Sequence, residues 1–288
     1  MDGIIVKGIG SFYEILSGDK EYTCRAQKKL RRISAPVPGD HVRFEPGTGE
    51  EDGWLEEIYE RKNQLIRPAV ANVDMLVLVL APVPQPDMML IERLLLCAAK
   101  EKIQPAIVVN KNDLNSSLPQ QIREEFSDST LSVFSTSTVS GTGIDELYMA
   151  LKGKLCCFAG QSAVGKSTLL NALCGLNLET GGLSRKTERG RHTTRRSELL
   201  IANGLKIMDT PGFSLFETIS IDPQEVPELY PEYAGFADRC KFQPCMHDRE
   251  PGCAVRAAVE HGGLNPVRYE RYRSIVKEVR DAWKERYH

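Results

Sequence analysis

The sequence predicts an α/β domain flanked by a small all-β barrel on its N-terminal side and a small, mostly helical domain on its C-terminal side. Short β-rich segments fill the first 68 residues, and strands alternate with helices after them, as in a parallel sheet. Three cysteines and one histidine then cluster between residues 240 and 253. We therefore expect domains at 1–68, 69–218 and 219–288.

The composition is that of an ordinary globular protein. Its 288 residues are 26% charged and 41% apolar, and the net charge is -2. Binding to nucleic acid would therefore need a local basic patch. No apolar stretch is long enough to span a membrane, and the N-terminus lacks a signal-peptide pattern. We expect a cytoplasmic monomer with no membrane partner.

The N-terminal segment predicts an OB-fold barrel. It contains about five short segments rich in β-branched and aromatic residues, separated by glycine and proline turns. Barrels of this kind often bind oligonucleotides. A basic run after the third segment would attract RNA phosphates, although a solvated loop has the same composition. The run contains Arg25, Lys28, Lys29, Arg31 and Arg32.

A phosphate-binding loop organises the α/β domain. Residues 160–167 read G-x-x-x-x-G-K-S, between an apolar run and a helical pattern. The glycines let backbone N–H groups face phosphate oxygens, and the helix N-terminus adds its dipole. Lys166 reaches the β- and γ-phosphates, which makes it a predicted catalytic residue, and Ser167 is a ligand for Mg²⁺. The predicted nucleotide contacts are Gly160, Gln161, Ser162, Ala163, Val164, Gly165, Lys166, Ser167 and Thr168.

A guanine-recognition motif, N-K-x-D, ends the strand predicted at residues 105–109. The Asp113 carboxylate accepts two hydrogen bonds from guanine, whereas adenine would leave it unpaired. Asn110 is expected to bridge base and loop backbone, and the stem of Lys111 to cover the base. The turn after the next strand is a further expected base contact, although an ordinary strand–helix turn reads the same. The predicted guanine site contains Asn110, Lys111, Asn112, Asp113, Ser135 and Thr136.

Two further segments predict the parts of the site that sense the γ-phosphate. Residues 181–196 are polar and basic without apolar periodicity, which indicates either a functional loop or a basic surface loop. Thr193 or Thr194 is expected to ligate Mg²⁺ there. The D-x-x-G pattern at 209–212 follows a strand, so Asp209 is expected to hold Mg²⁺ through water and Gly212 to contact the γ-phosphate.

The residue after this second segment changes the expected chemistry. Phe213 stands where Ras-like enzymes have a glutamine that orients water, and an apolar side chain cannot do so. Hydrolysis must then recruit another group. His192 is the nearest polar candidate for the catalytic residue, with RNA contact or a packing role as alternatives.

The motifs occur in a permuted order, because base recognition precedes the phosphate loop and D-x-x-G comes last. A fold with neighbouring termini tolerates such a circular permutation. The predicted fold class is therefore a circularly permuted P-loop GTPase domain between the OB-fold barrel and the C-terminal domain. Since D-x-x-G directly precedes that last domain, we hypothesise that the nucleotide state moves it.

The C-terminal cluster has the spacing Cys240-x4-Cys245-x-His247-x5-Cys253. Three thiolates and one imidazole make a closed tetrahedral Zn²⁺ site without an open position for substrate. We therefore expect one structural zinc ion; four independently packed residues are the alternative. The remaining cysteines are expected in the core, namely Cys24, Cys97, Cys156, Cys157 and Cys174.

A helix is predicted from Pro266 to about residue 286, with one apolar face formed by aromatic and β-branched residues at helical spacing. We expect this face to pack on the zinc region. The rest of the helix is basic and either contacts RNA or is solvated. Its cations are Arg268, Arg271, Arg273, Lys277, Arg280, Lys284 and Arg286.

Taken together, these motifs resemble the ribosome small-subunit-dependent GTPase A (RsgA) family over nearly the whole chain. Ala163 departs from the glycine that many members have at this position. The resemblance implies a GTPase that binds the small ribosomal subunit and its rRNA late in subunit maturation. It also implies that the subunit stimulates hydrolysis of GTP to GDP and phosphate, and that His192 helps to activate water.

Two other functional classes fit parts of the sequence. A P-loop kinase or ATPase is disfavoured by Asn110 and Asp113, and comparing GTP with ATP affinity separates the two. An RNA-binding P-loop protein that uses nucleotide as a structural switch with little hydrolysis is the main alternative. It predicts that GTP stays intact in the presence of ribosomal subunits.

Overall fold

The structure is a computed structural model that describes residues 1–27, 30, 34–48, 51–175, 197–209 and 221–287. It divides into two compact units, each assembled from segments that are distant in sequence. The first unit comprises Met1–Val77, Gly143–Ala159 and Gly165–Phe213. The second comprises Leu78–Thr142, Gly160–Val164 and Ser214–His288.

The first unit begins with a closed five-stranded barrel, as the sequence predicts. Its strands follow the order β1-β2-β3-β5-β4, and pairing of β4 with β1 closes the ring. All of these pairs are antiparallel except β3 with β5. The strands are β1 (Asp2–Ile9), β2 (Phe12–Ser17), β3 (Lys20–Ala26), β4 (His41–Glu45) and β5 (Gly53–Ile58).

Alternation of apolar and polar residues explains this barrel, because successive side chains of a strand point to opposite faces. Along β4, Val42 and Phe44 are buried while the three residues around them are exposed. The barrel core is apolar and also contains Ile5, Ile15 and Leu55, all fully buried.

The sheet of the first unit continues beyond the barrel. β12 pairs antiparallel with β1 and β13, and β13 pairs parallel with β11. A short hairpin and two helices complete the unit. These elements are β6 (Gln64–Leu65), β7 (Val70–Ala71), α3 (Ile144–Leu151), β11 (Leu155–Ala159), α4 (Lys166–Cys174), β12 (Glu198–Ala202) and β13 (Leu205–Asp209).

The second unit contains the predicted alternation of strands and helices. β8 (Met75–Leu80), entirely buried, enters it from the first unit, and the strand order is β10-β9-β8. Asp87 caps α1 (Met88–Lys100) by accepting a hydrogen bond from the Leu90 N–H at 2.9 Å. The other elements are β9 (Gln104–Val109), α2 (Leu118–Glu125) and β10 (Ser132–Ser135).

The C-terminal part of the second unit packs around tyrosines. Tyr272 is fully buried, and its ring lies 4.8 Å from that of Tyr230 and 5.0 Å from that of Tyr233. Its hydroxyl donates to the Met246 carbonyl at 2.6 Å. The elements here are two 3₁₀ segments (Pro223–Leu229 and Pro231–Tyr233), α5 (Ala234–Ala237), α6 (Ala254–Glu260) and α7 (Pro266–Tyr287).

Arginines of α7 form ion pairs within the protein, so its basic composition alone does not indicate a solvated or RNA-binding face. Arg268 and Arg271 both pair with Glu92 of α1, which is 0% exposed. Arg268 also pairs with Glu232, and Arg271 with Glu125 of α2. Desolvation raises the pKa of Glu92 above its ordinary value, although both guanidinium groups oppose this shift. These arginines are therefore neither solvated nor directed at RNA.

The positions of the remaining cysteines agree with the sequence prediction. All eight cysteines are buried, and burial raises the pKa of the Cys24 thiol to about 11 and that of Cys156 to about 12. Among the described residues, no helix is long and apolar enough to cross a bilayer.

Candidate guanine-nucleotide and metal sites

The phosphate loop links β11 to α4 through backbone angles that favour glycine. Gly160 has a φ of 138°, and a Cβ atom there would lie 2.1 Å from the Val79 carbonyl oxygen. Gly165, with a φ of 93°, caps α4. Ala163 has a φ of 64°, so alanine occupies the left-handed region at a cost of roughly 1–2 kcal/mol. The loop thus keeps its curled form with alanine at position 163.

Lys166 and Ser167 form the first turn of α4, directly after the loop. Lys166 is half-buried, and desolvation lowers the pKa of its ammonium group to about 8. An anion near this ammonium group would restore the lost hydration energy, so the position suits a phosphate. Thr168 follows on the exposed side of the helix.

The guanine motif is bound directly to the phosphate loop. Asn110 is buried; its amide donates to the Val164 carbonyl at 3.0 Å and accepts from the Thr136 hydroxyl at 3.1 Å. The Lys111 ammonium donates to the carbonyl of Ala163 at 2.7 Å and to that of Val83 at 3.0 Å. Both side chains therefore brace the two loops against each other.

The other half of the motif is held by the turn after β10. Asn112 donates from its amide to the Ser135 hydroxyl at 2.8 Å. The Asp113 carboxylate is exposed and accepts a hydrogen bond from the buried Ser137 hydroxyl. One carboxylate oxygen is thus held by the protein, and the group as a whole stays exposed.

The sequence did not predict Ser137 as a site residue, and it predicted only one of the two roles of Gln161. Ser137, next to the predicted Ser135 and Thr136, orients Asp113; a third hydroxyl in the same turn was the available signal. Gln161 was predicted only as a nucleotide contact. Its side chain donates to the Gln85 carbonyl at 3.1 Å and accepts from the Asp87 N–H at 2.9 Å, so it also anchors the start of α1.

The C-terminal cluster brings four possible metal ligands close together. Cys240, Cys245, His247 and Cys253 are all buried, and their ligand atoms lie within 4.8 Å of one another. The His247 Nδ1 atom lies 3.6 Å from the Cys240 Sγ atom and 3.4 Å from that of Cys253, and these two sulfurs are 4.0 Å apart. A zinc ion with Zn–S bonds of about 2.3 Å would separate its sulfurs by roughly 3.8 Å.

The surroundings of this cluster suit a cation. Backbone N–H groups of Ala254 and Arg256 point at the sulfurs of Cys240 and Cys253, at 3.3 and 3.5 Å. Burial lowers the pKa of His247, which keeps its imidazole neutral for ligation. Thiolates buried here need a positive counter-charge, so the cluster could hold a metal ion and fits Zn²⁺.

Several predicted residues lie outside the described part of the chain. They belong to the two segments expected to sense the γ-phosphate and to the basic run that begins at Arg25. For Asp209 the structure describes the backbone, which ends β13. The residues outside are His192, Thr193, Thr194, Gly212, Phe213, Lys28, Lys29, Arg31 and Arg32.

A phosphate loop braced by an N-K-x-D motif that precedes it in the chain defines a circularly permuted GTPase. The RsgA GTPase family profile matches residues 58–219, and that of the RsgA N-terminal domain matches residues 2–55. The chain therefore belongs to the RsgA GTPase family.

Known proteins similar to this chain cover nearly all of it. The "Small ribosomal subunit biogenesis GTPase RsgA" of Geobacillus sp. (strain WCH70) is 42% identical, over 97% of this chain and 98% of the relative. The protein of the same name from Ruminiclostridium cellulolyticum is 41% identical over 97% and 94%.

Two solved structures are similar to this chain over nearly its whole length. YjeQ from Thermotoga maritima has a TM-score of 0.83 and 32% identity, covering 96% of this chain and 98% of that one. YloQ, described as a circularly permuted GTPase, has a TM-score of 0.81 and 33% identity, covering 98% and 95%.

Proposed function

We propose that this GTPase binds the small ribosomal subunit and its rRNA and acts in late subunit maturation, with subunit-stimulated hydrolysis of GTP to GDP and phosphate. The observation that carries the nucleotide part is the bracing of Asn110 and Lys111 against Val164 and Ala163. It joins a guanine-selective carboxylate to a phosphate cradle. The names of the relatives support the ribosomal part.

The described residues support distinct roles around GTP. Asp113, oriented by Ser137, reads the guanine edge, while Asn110 and Lys111 hold the base loop against the phosphate loop. The N–H groups of 160–168 bind the phosphates, and Lys166 neutralises charge on the β- and γ-phosphates. Asn112, Ser135 and Thr136 support the base from the second loop.

Two metal ions complete the proposed site chemistry. Mg²⁺ would be held with GTP by Ser167, by Asp209 through water and by Thr193 or Thr194, and would offset phosphate charge. One structural Zn²⁺ would be held by Cys240, Cys245, His247 and Cys253. The chain is proposed to act as a cytoplasmic monomer.

His192 is the proposed catalytic residue that helps to orient the attacking water. Phe213 follows the D-x-x-G motif and cannot form the hydrogen bonds that a glutamine would make to water. The small subunit would act by placing His192 beside the attacking water. This role would explain how the protein hydrolyses GTP without the water-orienting glutamine of Ras-like enzymes.

Phosphate release from GTP and from ATP, with and without purified small ribosomal subunits, tests the proposal. We expect GTP-selective release that subunits stimulate strongly. His192→Ala should lose the stimulated rate while keeping GDP affinity, because the residue contributes to the chemistry and not to binding. Asp113→Ala is the matched control, since it should weaken GTP and GDP binding.

Each outcome separates one part of the proposal from the others. Stimulation that persists in His192→Ala would remove this residue from the chemistry and keep the ribosomal GTPase. Absence of stimulation in the wild type would remove the ribosomal partner. Intact GTP after prolonged incubation with subunits would favour an RNA-binding protein that uses nucleotide as a structural switch.

A further inference from the structure

Four arginines of α7 and two cations beside Cys240 have different environments. On α7, Arg268 and Arg271 are paired with carboxylates of α1 and α2, and Arg273 and Arg280 both pair with Asp248. Their charges are therefore largely neutralised within the protein.

The cations of the loop at residues 239–242 have a different environment. Arg239 and Lys241 flank the ligand Cys240, both are exposed, and within the described ranges neither belongs to an ion pair. Each lies instead over an aromatic ring. The Arg239 guanidinium carbon is 5.0 Å from the Phe236 ring centroid, and the Lys241 ammonium is 5.5 Å from that of Phe242.

The tip of this loop also exposes an aromatic ring. Phe242 is 50% exposed, although it lies only two residues after the buried Cys240. A phenylalanine exposed to this extent gains little from the core, whereas its free face can stack on another planar group.

The backbone of the loop is held in place by several contacts. Cys240 is buried within the metal cluster, the Lys241 N–H donates to the Gly252 carbonyl at 3.0 Å, and the Arg239 guanidinium donates to the Gly235 carbonyl at 3.0 Å. A ligand would therefore meet a surface that is already ordered, which lowers the entropic cost of binding.

We propose that Arg239, Lys241 and Phe242, named here the 239–242 surface, bind unpaired RNA nucleotides. The two cations would contact phosphates, and an unstacked base would lie on the Phe242 ring. Positive charge without carboxylate partners suits a polyanion, and exposed aromatic rings interleaved with cations are the usual means of holding single-stranded RNA. The proposal rests on the proposed function, in which rRNA is a partner, and names the part of the chain that recognises it.

The test measures binding of metal-loaded, full-length protein to a labelled oligouridylate and to an RNA duplex of the same length. Phe242→Ala should weaken oligouridylate binding about five- to a hundredfold, because base stacking is lost, and leave duplex binding nearly unchanged. Arg239→Ala with Lys241→Ala should reduce the slope of log affinity against log salt by about 0.7 for each lost phosphate contact.

A double variant on α7 is the matched control. Lys277→Ala with Lys284→Ala removes the same charge from exposed positions of the same region and should leave oligouridylate affinity close to that of the wild type. Circular dichroism and metal content must match the wild type in every variant, since Arg239 and Lys241 adjoin a metal ligand.

Three outcomes would overturn the proposal that the 239–242 surface binds RNA. The control variant could lose as much affinity as the loop variant, or Phe242→Ala could leave oligouridylate binding unchanged. If the variants at residues 239–242 bound RNA normally but bound intact subunits more weakly, the surface would have a protein partner instead. Subunit-stimulated GTP hydrolysis by the wild type, measured in parallel, shows separately whether the proposed function holds.

Discussion

The barrel and the C-terminal region are both small structures, yet their cores are built differently. The barrel core is almost entirely apolar, with Ile5, Ile15, Phe44 and Leu55 enclosed by a closed ring of hydrogen-bonded strands. The C-terminal core instead contains stacked tyrosines, the cysteine–histidine cluster and a buried glutamate between two arginines.

This difference shows two ways to stabilise a small core. Closure of a sheet satisfies the backbone of the barrel, so apolar side chains suffice inside it. In the C-terminal region the segments before α7 are short and form no sheet with one another in the described residues. Polar contacts with defined geometry hold these segments together instead. We therefore expect the two regions to respond differently to the same kind of perturbation.

Removal of the proposed zinc ion should have the largest effect, and only on the C-terminal region. Cys253→Ser, or chelation, should open residues 221–287 to hydrogen exchange, because structural zinc contributes roughly 10–16 kcal/mol in zinc-finger peptides. The barrel peptides should keep their protection. Mass spectrometry of exchange, with metal analysis, measures both regions in one experiment.

Cys97→Ala is the control for this variant, since Cys97 is buried outside the cluster. It should leave metal content unchanged. Equal protection of residues 221–287 with and without metal would show that tyrosine packing and ion pairs alone hold this core.

Truncation of a buried aromatic should have the converse effect. Phe44→Ala leaves a cavity at a fully buried site of the barrel and should lower its free energy of opening by about 3–5 kcal/mol. Native-state hydrogen exchange of strands β1–β5 measures this change. Glu45→Ala, at the next and exposed position of β4, should change it by less than about 0.5 kcal/mol. Equal losses would refute an apolar origin of barrel stability.

The buried glutamate provides a finer test of the polar core. Glu92→Gln keeps the shape but removes the charge between Arg268 and Arg271, so we expect a loss of about 1.5–3 kcal/mol in the opening free energy of α7. Glu278→Gln removes a more exposed pair with Arg93 and should cost less than about 1 kcal/mol. A smaller effect for Glu92 than for Glu278 would contradict the role assigned to burial.

Deletion of single hydroxyl groups should give the smallest effects. Tyr272→Phe removes a buried hydrogen bond to the Met246 carbonyl and should lower the stability of the C-terminal region by about 1 kcal/mol. Tyr59→Phe removes an exposed hydrogen bond to Asp2 at the end of the barrel and should cost less. Thermal unfolding followed by region-resolved hydrogen exchange distinguishes the two. A larger loss from Tyr59→Phe would mean that exposed polar contacts matter more to the barrel than its composition indicates.

The sequence predicted the parts of the fold that depend on short-range patterns. Short β-rich segments separated by glycine and proline turns predicted the strands of the barrel. The spacing of Cys240 and Cys253 similarly predicted a cluster that the structure brings together. Each of these signals lies within about fifteen residues, so no tertiary knowledge was needed.

Long-range polar contacts could not be predicted in this way. Glu92 and Arg271 are separated by 179 positions, so neither residue signals the other in one sequence. The basic composition of α7 therefore indicated solvent or RNA, whereas Arg268, Arg271, Arg273 and Arg280 form ion pairs within the protein. Ser137 shows the same limit at the guanine site, because its role depends on the side chain of Asp113, 24 residues away.

The hydrogen bond between Asn110 and Val164 has a consequence for synthesis of the protein, because its partners are 54 residues apart in the permuted chain. The nascent polypeptide presents its base-reading loop first. At a translation rate of 5–20 residues per second, the carbonyl that braces this loop follows roughly 3–11 s later. Until then the emerging chain has no phosphate cradle, so it cannot capture a guanine nucleotide before the ribosome that makes it has also delivered the second loop.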